Sequence, residues 1–418
     1  MTQILFKNIN MKDLHTMKVY EEQGGYRSLK KAFAQKPEEI VEAVKASGLR
    51  GRGGAGFPTG LKWSFLAKDV FPRYLCCNAD ESEPGTCKDR ELMLKNPHML
   101  IEGMILCAYA CRIETGYNYL RGEFHDLNVI MEKAMEDAYA KGYLGKNILG
   151  SGFNFDLYTH LGAGAYICGE ESALLNSLEG ERGEPRMKPP FPAVEGLYAK
   201  PTVVNNVETL CVVPYIVNEG AEKYASLGTE KSKGTKLVSV SGHVKKPGNY
   251  EVVLGTPIRE IIYDLAGGIR DGNKLKAFIP GGSSVPMLPA DPVDVLYDYE
   301  SLAAAGTMLG SGAMIVIDDS VNIVETTLRL ISFYMHESCG KCTPCREGTR
   351  WLYQIVEKIM QNKGQLDYIE KMEDICDNMN MKSFCPLADA CVSPVVSSIK
   401  YFRSDYEEYF KNVPVSSI

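Results

Sequence analysis

The final hundred residues repeat apolar positions at helical spacing. From Val321 onward, apolar residues recur every three or four positions, which is the period of an amphipathic helix. The pattern predicts a helix after Val321 and further helices near residues 351–360, 366–376 and 388–402. Short connections between such helices favour an antiparallel four-helix bundle over residues 321–418.

The first half of the chain has a different pattern, in which short apolar strands alternate with helices. Strands are predicted near residues 73–77, 117–121 and 153–160, with helices over residues 97–112 and 126–140 between them. Such alternation argues for a βαβ-type sheet, so residues 1–230 are expected to form one α/β domain.

The middle of the chain predicts a smaller domain. A polar, glycine-bearing linker at residues 226–234 precedes a hairpin (236–244 and 249–254), a short helix (257–266) and strands near 276–279 and 313–317. This order favours a ubiquitin-like α+β domain of a soluble-ligand-binding type over residues 231–320. The expected fold class is therefore a multidomain α/β protein.

Composition excludes several classes of protein. Apolar residues make up 45% of the 418 residues, charged residues make up 24%, and the net charge is −7. These values are typical of a globular protein and give no reason to expect a nucleic-acid partner. The start of the chain lacks a secretory pattern. No apolar run approaches the 18 or so residues of a membrane span, so direct membrane insertion is not expected.

Thirteen cysteines, an odd number, favour reduced thiols and a metal centre over a disulfide framework. Six of them lie in apolar surroundings, which predicts small buried side chains: Cys76, Cys77, Cys107, Cys111, Cys168 and Cys211.

A run of three equally spaced cysteines, Cys339, Cys342 and Cys345, is followed later by Cys385 and a proline. Thiolate runs of this kind hold iron–sulfur clusters. Zinc is the rival, but structural zinc sites usually pair their thiols in two knuckles or add histidines.

Spacing alone leaves the fourth cluster ligand open among Cys376, Cys385 and Cys391. Cys385 is preferred because it is expected in a loop before proline. Cys376 falls on an apolar helical face, and Cys391 falls inside a predicted helix.

The glycine run at residues 48–63 contains the letters G-x-G-x-x-G at Gly51, Gly53 and Gly56. A dinucleotide fingerprint needs a strand before it and a helix opening on it. Here a helix precedes the run and Pro58 interrupts the segment after it, so that interpretation is rejected. Close backbone approach to a flat or anionic ligand remains, and Lys62 could add a positive charge. The alternative is a flexible surface loop.

Polar residues follow the predicted strands, where open α/β sheets bind ligands. Asn78 and Asp80 follow the first strand, and a solvated acidic turn is the alternative there. A second glycine-rich turn leads to Glu170 and Glu171 at the start of a helix. Its amides could face a phosphate, or the two carboxylates could simply answer the helix dipole.

Three stretches together resemble one family: the glycine run at residues 51–63, the polar segment at 78–86 and the cysteine run at 337–348. With Gly169-Glu170-Glu171 and Asn205-Asn206, they closely resemble the flavin- and NADH-binding subunit of respiratory complex I, an NADH:quinone oxidoreductase. The resemblance runs from about residue 20 to the last helix. It implies a Rossmann-like flavin domain, hydride transfer from NADH to FMN, and single-electron transfer to a [4Fe–4S] cluster.

The resemblance also implies site residues. Those expected to line FMN are Gly51, Arg52, Gly53, Lys62, Asn78, Asp80, Gly169, Glu170, Asn205 and Asn206. Those expected to bind NADH are Phe57, Phe65, Glu83, Glu171, Lys188 and Phe191, with Glu83 on the adenosine ribose and the phenylalanines around the adenine. The implied cluster ligands are Cys339, Cys342, Cys345 and Cys385. Hydride transfer requires no catalytic acid or base, and none is expected.

The same resemblance implies two partners, a small thioredoxin-like [2Fe–2S] subunit and a large iron–sulfur subunit. The chain is then expected on the cytoplasmic side of the inner membrane, attached through those partners. The diaphorase subunit of a soluble NAD-linked hydrogenase or formate dehydrogenase is the alternative. Such chains often carry a fused [2Fe–2S] domain, and none precedes the glycine run here. A flavin-free scaffold is a third interpretation, in which the glycine run would have no ligand.

Overall fold

The computed structural model describes residues 2–365 and 367–411. It divides into two compact units. The first comprises Met1–Ser82, Thr86–Val238 and Asn249–Thr256, and the second comprises Glu83–Gly85, Ser239–Gly248 and Pro257–Ile418. The three domain bounds expected from the sequence stay predictions, and their outermost residues, 1 and 412–418, lie outside the described residues.

Four parallel strands form the sheet of the first unit. They are β1 (Tyr74–Ala79), β2 (Thr115–Leu120), β3 (Asp156–Leu161) and β4 (Thr202–Asn206), in the spatial order β3-β2-β1-β4. The first three confirm predicted strands, whereas β4 was not predicted. Asn78 lies in register with Asn206 on the neighbouring strand. Since parallel strands end at the same edge of a sheet, the polar residues that follow them are brought together there.

The helices of the first unit are α1 (Met17–Glu22), α2 (Arg27–Phe33), α3 (Pro37–Ala46), α4 (Thr59–Ser64), α5 (Lys88–Lys95), α6 (Pro97–Cys111), α7 (His125–Ala140), α8 (Glu171–Leu178), α9 (Val207–Glu219) and α10 (Ala221–Ala225). Of these, α6, α7 and α9 pack on the strands of the sheet. Helix α6 is buried almost all round and packs on α9. A Cβ on Gly103 would lie 2.1 Å from the carbonyl oxygen of Leu210, so only glycine permits this approach. All six cysteines predicted to be buried are buried.

One buried carboxylate holds the N-terminal segment to the first unit. Glu251 is 3% exposed, and it accepts hydrogen bonds from the amides of Ile4 (2.9 Å), Leu5 (2.9 Å) and Phe6 (2.8 Å). The hydroxyl of Thr235 donates a further bond of 2.7 Å. Burial raises the pKa of Glu251, while these donors favour its ionised form. Residues 4–6 are therefore held in place by hydrogen bonds from their backbone amides to the carboxylate of Glu251.

The substitution Glu251→Gln tests this anchor, since it keeps the shape and removes the charge. It is expected to lower the free energy of unfolding by about 1.5–3 kcal/mol, the contribution typical of hydrogen bonds to charged groups. The urea midpoint measures the loss, and hydrogen exchange at residues 4–6 should accelerate. The exposed Glu222→Gln is the control. Unchanged exchange at residues 4–6 in the Glu251 variant would contradict the anchoring role.

The second sheet has five strands, β5 (Thr235–Gly242), β6 (Gly248–Val253), β7 (Leu275–Ile279), β8 (Leu288–Pro289) and β9 (Ala313–Asp318), in the order β6-β5-β9-β7-β8. Strand β9 pairs in parallel with β5 and antiparallel with β7. The boundary between the units falls within β5 and β6. A π-helical segment, Glu260–Leu265, occupies the predicted helix at 257–266, and α11 (Tyr299–Ala304) was not predicted.

In the part of the second unit that the structure describes, four further helices follow: α12 (Ile323–Glu337), α13 (Thr343–Met360), α14 (Tyr368–Met379) and α15 (Leu387–Phe410). Each confirms a helix predicted from apolar periodicity, although Leu366, placed in the third, lies outside the described residues. Helix α13 begins inside the cysteine run, with Cys342 as its N-cap residue. None of the helices in the described part of the chain has the length and apolar character that a membrane crossing requires.

Candidate functional site

The glycine run in the first unit is an ordered loop closed on itself. Residues 50 and 58 form an antiparallel bridge, and the amide of Gly51 donates to the carbonyl of Phe57 at 2.8 Å. The side chain of Arg50 donates to the carbonyl of Gly56 at 2.7 Å. A helix, α3, precedes the run, and strand β1 comes only after it. The missing strand before the run confirms one ground for rejecting a dinucleotide fingerprint, whereas the other was wrong, because helix α4 does follow Pro58. The alternative of a flexible surface loop does not fit these hydrogen bonds.

This loop lies against the carboxyl end of β4. The indole of Trp63, on the helix after the loop, donates to the side-chain oxygen of Asn205 at 2.8 Å. A Cβ on Gly53 would lie 3.0 Å from the Cβ of Asn206. Gly53 is exposed, and a Cβ on Gly54 would meet nothing within 4 Å. The loop thus presents bare backbone beside a polar strand end, which suits a flat or anionic ligand.

Polar side chains meet at the same edge of the sheet. The side-chain amide of Asn78 donates to the backbone carbonyl of Gly169 at 2.8 Å. The side-chain amide of Asn206 donates to the backbone carbonyl of Asn78 at 3.5 Å. A Cβ on Gly169 would lie 3.4 Å from a carboxylate oxygen of Asp80. The structure therefore brings together four of the residues expected around FMN.

Two lysines and two glutamates form a half-buried charge cluster beside this edge. Lys62 contacts Glu171 at 2.9 Å, and Lys188 contacts Glu170 at 2.7 Å and Glu171 at 3.2 Å. Burial by itself would raise the pKa of Glu171, but the two lysines outweigh it and the pKa lies below its usual value. Glu170 also accepts from the amides of residues 172 and 173 and so caps α8. The helix-start interpretation of Glu170 is confirmed, and it coexists with the lysine pair.

Arg52 departs from the expectation that it faces a ligand. The residue is fully buried, and its guanidinium donates to the carbonyls of Thr235 (3.1 Å) and Lys233 (2.6 Å) and to the hydroxyl of Tyr224 (2.9 Å). The side chain therefore braces the interior behind the glycine loop and offers no surface to FMN. Its charge is satisfied by groups from distant segments, which no local pattern reveals.

The three phenylalanines expected around an adenine are all exposed, to 46% at Phe57, 52% at Phe65 and 57% at Phe191. The rings of Phe57 and Phe65 lie 6.1 Å apart between centroids. A hydrogen bond from the amide of Ala67 to the carbonyl of Ala193 holds the segment of Phe191 beside the end of α4. Exposed aromatic rings on neighbouring segments are suited to stacking with a base.

A buried ion network behind Asn206 was missed from the sequence. The carboxylate of Asp89 accepts from the side-chain amide of Asn206 at 2.7 Å. The ammonium of Lys88 contacts Asp89 at 2.8 Å and Glu208 at 2.9 Å. Glu208 also contacts Lys236 at 2.6 Å. Lys88 lies in a charged segment and Lys236 at the start of an apolar strand, and neither setting gives a local sign of such pairing. The one signal in the sequence is that Glu208 comes shortly after the paired asparagines.

Glu83, in the second unit, does not lie in open solvent. Its carboxylate accepts from the hydroxyl of Ser283 at 3.1 Å and from the amide of Ser284 at 2.8 Å. The acidic turn predicted as an alternative is therefore partly buried and structured.

The cysteine run and the loop before α15 adjoin each other. The amide of Phe384 donates to the Sγ atom of Cys342 at 3.4 Å, which brings Cys385 next to the run. Burial raises the pKa of Cys345, with further contributions from Cys339 and Cys342, so these thiols lie within electrostatic reach. In the described residues no group of three or more His, Cys, Asp or Glu side chains is already gathered as a metal-ligand set. The assignment of ligands therefore comes from where the thiols lie along the chain.

The competing thiols have different surroundings. Cys376 on α14 is 1% exposed and Cys391 on α15 is fully buried, as expected for apolar helical faces. Cys385 is partly exposed and precedes α15. A loop thiol can turn toward a cluster without unfolding a helix, and this favours Cys385 among the three.

Three family models match the chain. The Nuo51 FMN-binding domain matches residues 44–215, an SLBB domain matches residues 237–288, and the NADH-ubiquinone oxidoreductase-F iron-sulfur binding region matches residues 325–409. The F subunit of NADH-quinone oxidoreductase of Streptomyces coelicolor is 54% identical over 94% of this chain and 88% of that protein. The corresponding F 2 protein of Rhizobium meliloti is 51% identical over 96% of both chains. This chain belongs to the F-subunit family of NADH-quinone oxidoreductases.

A solved structure agrees with this family at the level of fold. A chain of an NAD⁺-reducing [NiFe]-hydrogenase in the H₂-reduced state superposes with a TM-score of 0.86 at 36% identity, covering 98% of this chain and 66% of that one. The present chain is a mixed α/β multidomain protein with a helical C-terminal region. FMN and a [4Fe–4S] cluster are its cofactors, since the chain matches the FMN-binding domain model and the iron-sulfur binding region model.

Proposed function

We propose that this chain is the electron-input subunit of an NADH:quinone oxidoreductase of the complex I type. It oxidises NADH by hydride transfer to FMN and passes electrons one at a time to its [4Fe–4S] cluster. The observation that carries this proposal is the convergence of the glycine loop, Asn78, Gly169 and Asn206 at one edge of the parallel sheet. The family membership supports the same reaction.

The backbone of Gly51 and Gly53 would lie against FMN, with Lys62 supplying positive charge. The remaining polar residues proposed for this site are Asn78, Asp80, Gly169, Glu170, Asn205 and Asn206, while Arg52 supports the loop from behind. Bound FMN supplies the capacity to take two electrons at once and release them singly. The chain's own contribution is to bind and orient, so no residue is proposed as a catalytic acid or base.

NADH would be held by the exposed rings of Phe57, Phe65 and Phe191 around its adenine and by Glu83 at its adenosine ribose. Glu171 and Lys188 would face the nucleotide from the half-buried charge cluster. Much of the rate gain is expected from holding NADH against FMN, because a fixed orientation replaces a bimolecular encounter.

The cluster would be held by Cys339, Cys342 and Cys345 of the run and by Cys385 of the adjoining loop. Supporting observations are the Phe384–Cys342 hydrogen bond and the burial of the competing thiols Cys376 and Cys391. Thiolate ligands at three-residue spacing with a distant Cys-Pro match [4Fe–4S] sites.

The domains proposed for this function are a Rossmann-like flavin domain (1–230), a ubiquitin-like domain (231–320) and a four-helix bundle (321–418). The SLBB match within residues 231–320 supports the second of these. The proposed partners are a small thioredoxin-like [2Fe–2S] subunit and the large iron–sulfur subunit of complex I. Attachment through them would place the chain on the cytoplasmic side of the inner membrane, without contact with nucleic acid.

A diaphorase subunit of an NAD-linked hydrogenase is the second candidate, favoured by the TM-score of 0.86. The 36% identity of that match is below the 54% of the Streptomyces coelicolor relative. Affinity purification from the native cell separates the two candidates. Recovery of membrane-arm subunits supports complex I, whereas recovery of a hydrogenase subunit would contradict it.

The substitution Lys62→Met tests the FMN site. Removing this charge is expected to weaken FMN binding about tenfold, the typical loss when a hydrogen bond to a charged group is removed. FMN added to the deflavinated protein is followed by quenching of flavin fluorescence, and NADH–ferricyanide turnover is measured in parallel. The exposed Lys133→Met on α7 is the control. A wild-type protein that binds no FMN and shows no NADH oxidation would contradict the proposed function.

A further inference from the structure

Glu83 stands at the end of a chain of hydrogen bonds within the second unit. The hydroxyl of Ser283 donates to Glu83 Oε1 at 3.1 Å, and the hydroxyls of Ser283 and Tyr334 lie 2.7 Å apart. Serine has a single hydroxyl hydrogen. Because that hydrogen is directed at the carboxylate, the hydroxyl of Tyr334 must donate to Ser283. Tyr334 therefore donates to Ser283, and Ser283 donates to Glu83.

The two hydrogen bonds from Tyr334 to Ser283 and from Ser283 to Glu83 lie among closely packed groups. Ser283 and Tyr334 are both fully buried, so water does not compete for these hydroxyls. The amide of Ser284 donates to the same carboxylate oxygen at 2.8 Å. A Cβ on Gly282, whose φ is +98°, would lie 2.7 Å from the Glu83 side chain, so glycine is needed for this approach. In a buried chain each hydrogen bond polarises the next, which strengthens the bond to the carboxylate.

Tyr334 also belongs to the helix that leads into the cysteine run. It lies on α12, its carbonyl accepts from the amide of Ser338 at 3.0 Å, and the hydroxyl of Ser338 lies 3.2 Å from the Sγ atom of Cys345. Tyr334 thus contacts Ser283, which holds Glu83, and also Ser338, which lies in the segment of the cluster thiols.

We propose that Ser283 and Tyr334 are positioning residues for the carboxylate of Glu83, fixing its orientation for the two hydroxyls of a nucleotide ribose. This rests on the proposed function, in which Glu83 binds the adenosine ribose of NADH. A diol recognises a carboxylate through two directed hydrogen bonds, so a carboxylate free to rotate must be ordered on binding and binds more weakly. Neither residue touches the nucleotide; each acts through Glu83.

ADP-ribose is the probe for this proposal, because it carries the adenosine ribose and cannot be oxidised as NADH is. Its affinity for the FMN-loaded protein is measured by isothermal titration calorimetry. Glu83→Ala is expected to raise the dissociation constant about tenfold, and Tyr334→Phe to raise it about fivefold, as for the loss of a charged and a neutral hydrogen bond. Ser283→Ala should resemble Tyr334→Phe. In turnover, the KM for NADH should rise while ferricyanide kcat is retained.

A matched control exists in the same unit. The hydroxyl of Tyr406 lies 2.7 Å from the hydroxyl of Ser398, and both residues are fully buried. Tyr406→Phe removes the same kind of bond and is expected to leave ADP-ribose affinity unchanged. The electron paramagnetic resonance signal of the reduced cluster should match wild type in both tyrosine variants.

A double substitution isolates the route of the effect. In the Glu83→Ala background, Tyr334→Phe should weaken ADP-ribose binding no further, since the group that it positions is gone. Wild-type affinity in Tyr334→Phe and Ser283→Ala beside weakened Glu83→Ala overturns the positioning role alone. An equal loss with and without Glu83, or a changed cluster signal, overturns it too. Wild-type affinity in Glu83→Ala overturns both this inference and the proposed role of Glu83.

Discussion

Replacing Cys342 by alanine is expected to abolish electron exit while sparing the reduction of bound FMN by NADH. Cys342 lies at the start of α13, and its Sγ atom accepts from the amide of Phe384 beside Cys385. Loss of one of four thiolates leaves the cluster without a complete ligand set. The NADH-reduced sample should show bleached flavin absorbance and no cluster signal by electron paramagnetic resonance, with quinone reduction at background.

Cys376→Ala is the matched control for this prediction. Its thiol is buried on the packed face of α14, where it cannot turn toward the cysteine run as a loop thiol can, and burial raises the pKa of Cys376 to about 12. The cluster signal and quinone reduction should persist in that variant. Equal loss of flavin reduction and electron exit in Cys342→Ala would instead mean that the cluster mainly supports the fold.

Replacing Glu208 by glutamine is expected to lower the free energy of unfolding by about 3–5 kcal/mol, the typical loss when one partner of a buried ion pair is removed. Glu208 is fully buried between two ammonium groups, at 2.6 Å from Lys236 and 2.9 Å from Lys88. Both lysines are buried as well. Lys88 keeps Asp89 at 2.8 Å in the variant, whereas Lys236 loses the carboxylate that it contacts. Urea unfolding followed by circular dichroism measures the difference.

The pH dependence of that difference has a definite sign. Burial alone would raise the pKa of Glu208, but Lys236 and Lys88 outweigh it, and its pKa lies below the ordinary value of 4.5. A group whose pKa is depressed by folding stabilises the fold above its unfolded pKa and loses that contribution as pH falls through its folded pKa. The gap between wild type and Glu208→Gln should therefore shrink in acid. It should also shrink above about pH 7, because burial lowers the pKa of Lys236, the nearer partner of Glu208, to about 7.

Glu219→Gln provides the control for this prediction, because Glu219 ends the same helix α9 and pairs with Lys223 at the surface. Exposed pairs of this kind contribute little to stability. The urea midpoint of that variant should equal that of wild type. A midpoint in Glu208→Gln equal to the control would show that the buried network is dispensable.

Local patterns predicted most of the secondary structure and failed at identifiable places. Strands β1 to β3 and helices α12 to α15 follow from apolar periods that a single segment contains. Strand β4 was missed because its five residues end in two asparagines and its apolar core is short. Helix α4 was missed because Pro58 looked like an interruption, whereas it precedes the first turn, where proline is tolerated.

Side-chain direction was the less predictable part of the site. Arg52 stands between two exposed or half-exposed glycines, yet its guanidinium reaches carbonyls some 180 residues later in the chain. For Glu170 the sequence left open a phosphate at the helix amides or a carboxylate answering the helix dipole. The structure shows the helix cap and adds an ion pair with Lys188 that was not predicted. Such outcomes depend on which distant donors and acceptors arrive, and burial makes their pairing obligatory.

The sequence by itself determined the classes of chemistry: thiols at cluster spacing, a glycine run for close backbone approach, and carboxylates after strands. These are local, because spacing and residue type lie within single segments. Only the tertiary structure decided how they combine. Parallel pairing brings Asn206 against Asn78, 128 positions earlier, and folding turns Arg52 inward and links Glu83 to Tyr334. Long-range packing makes these choices, because buried polar groups must find partners wherever the fold supplies them.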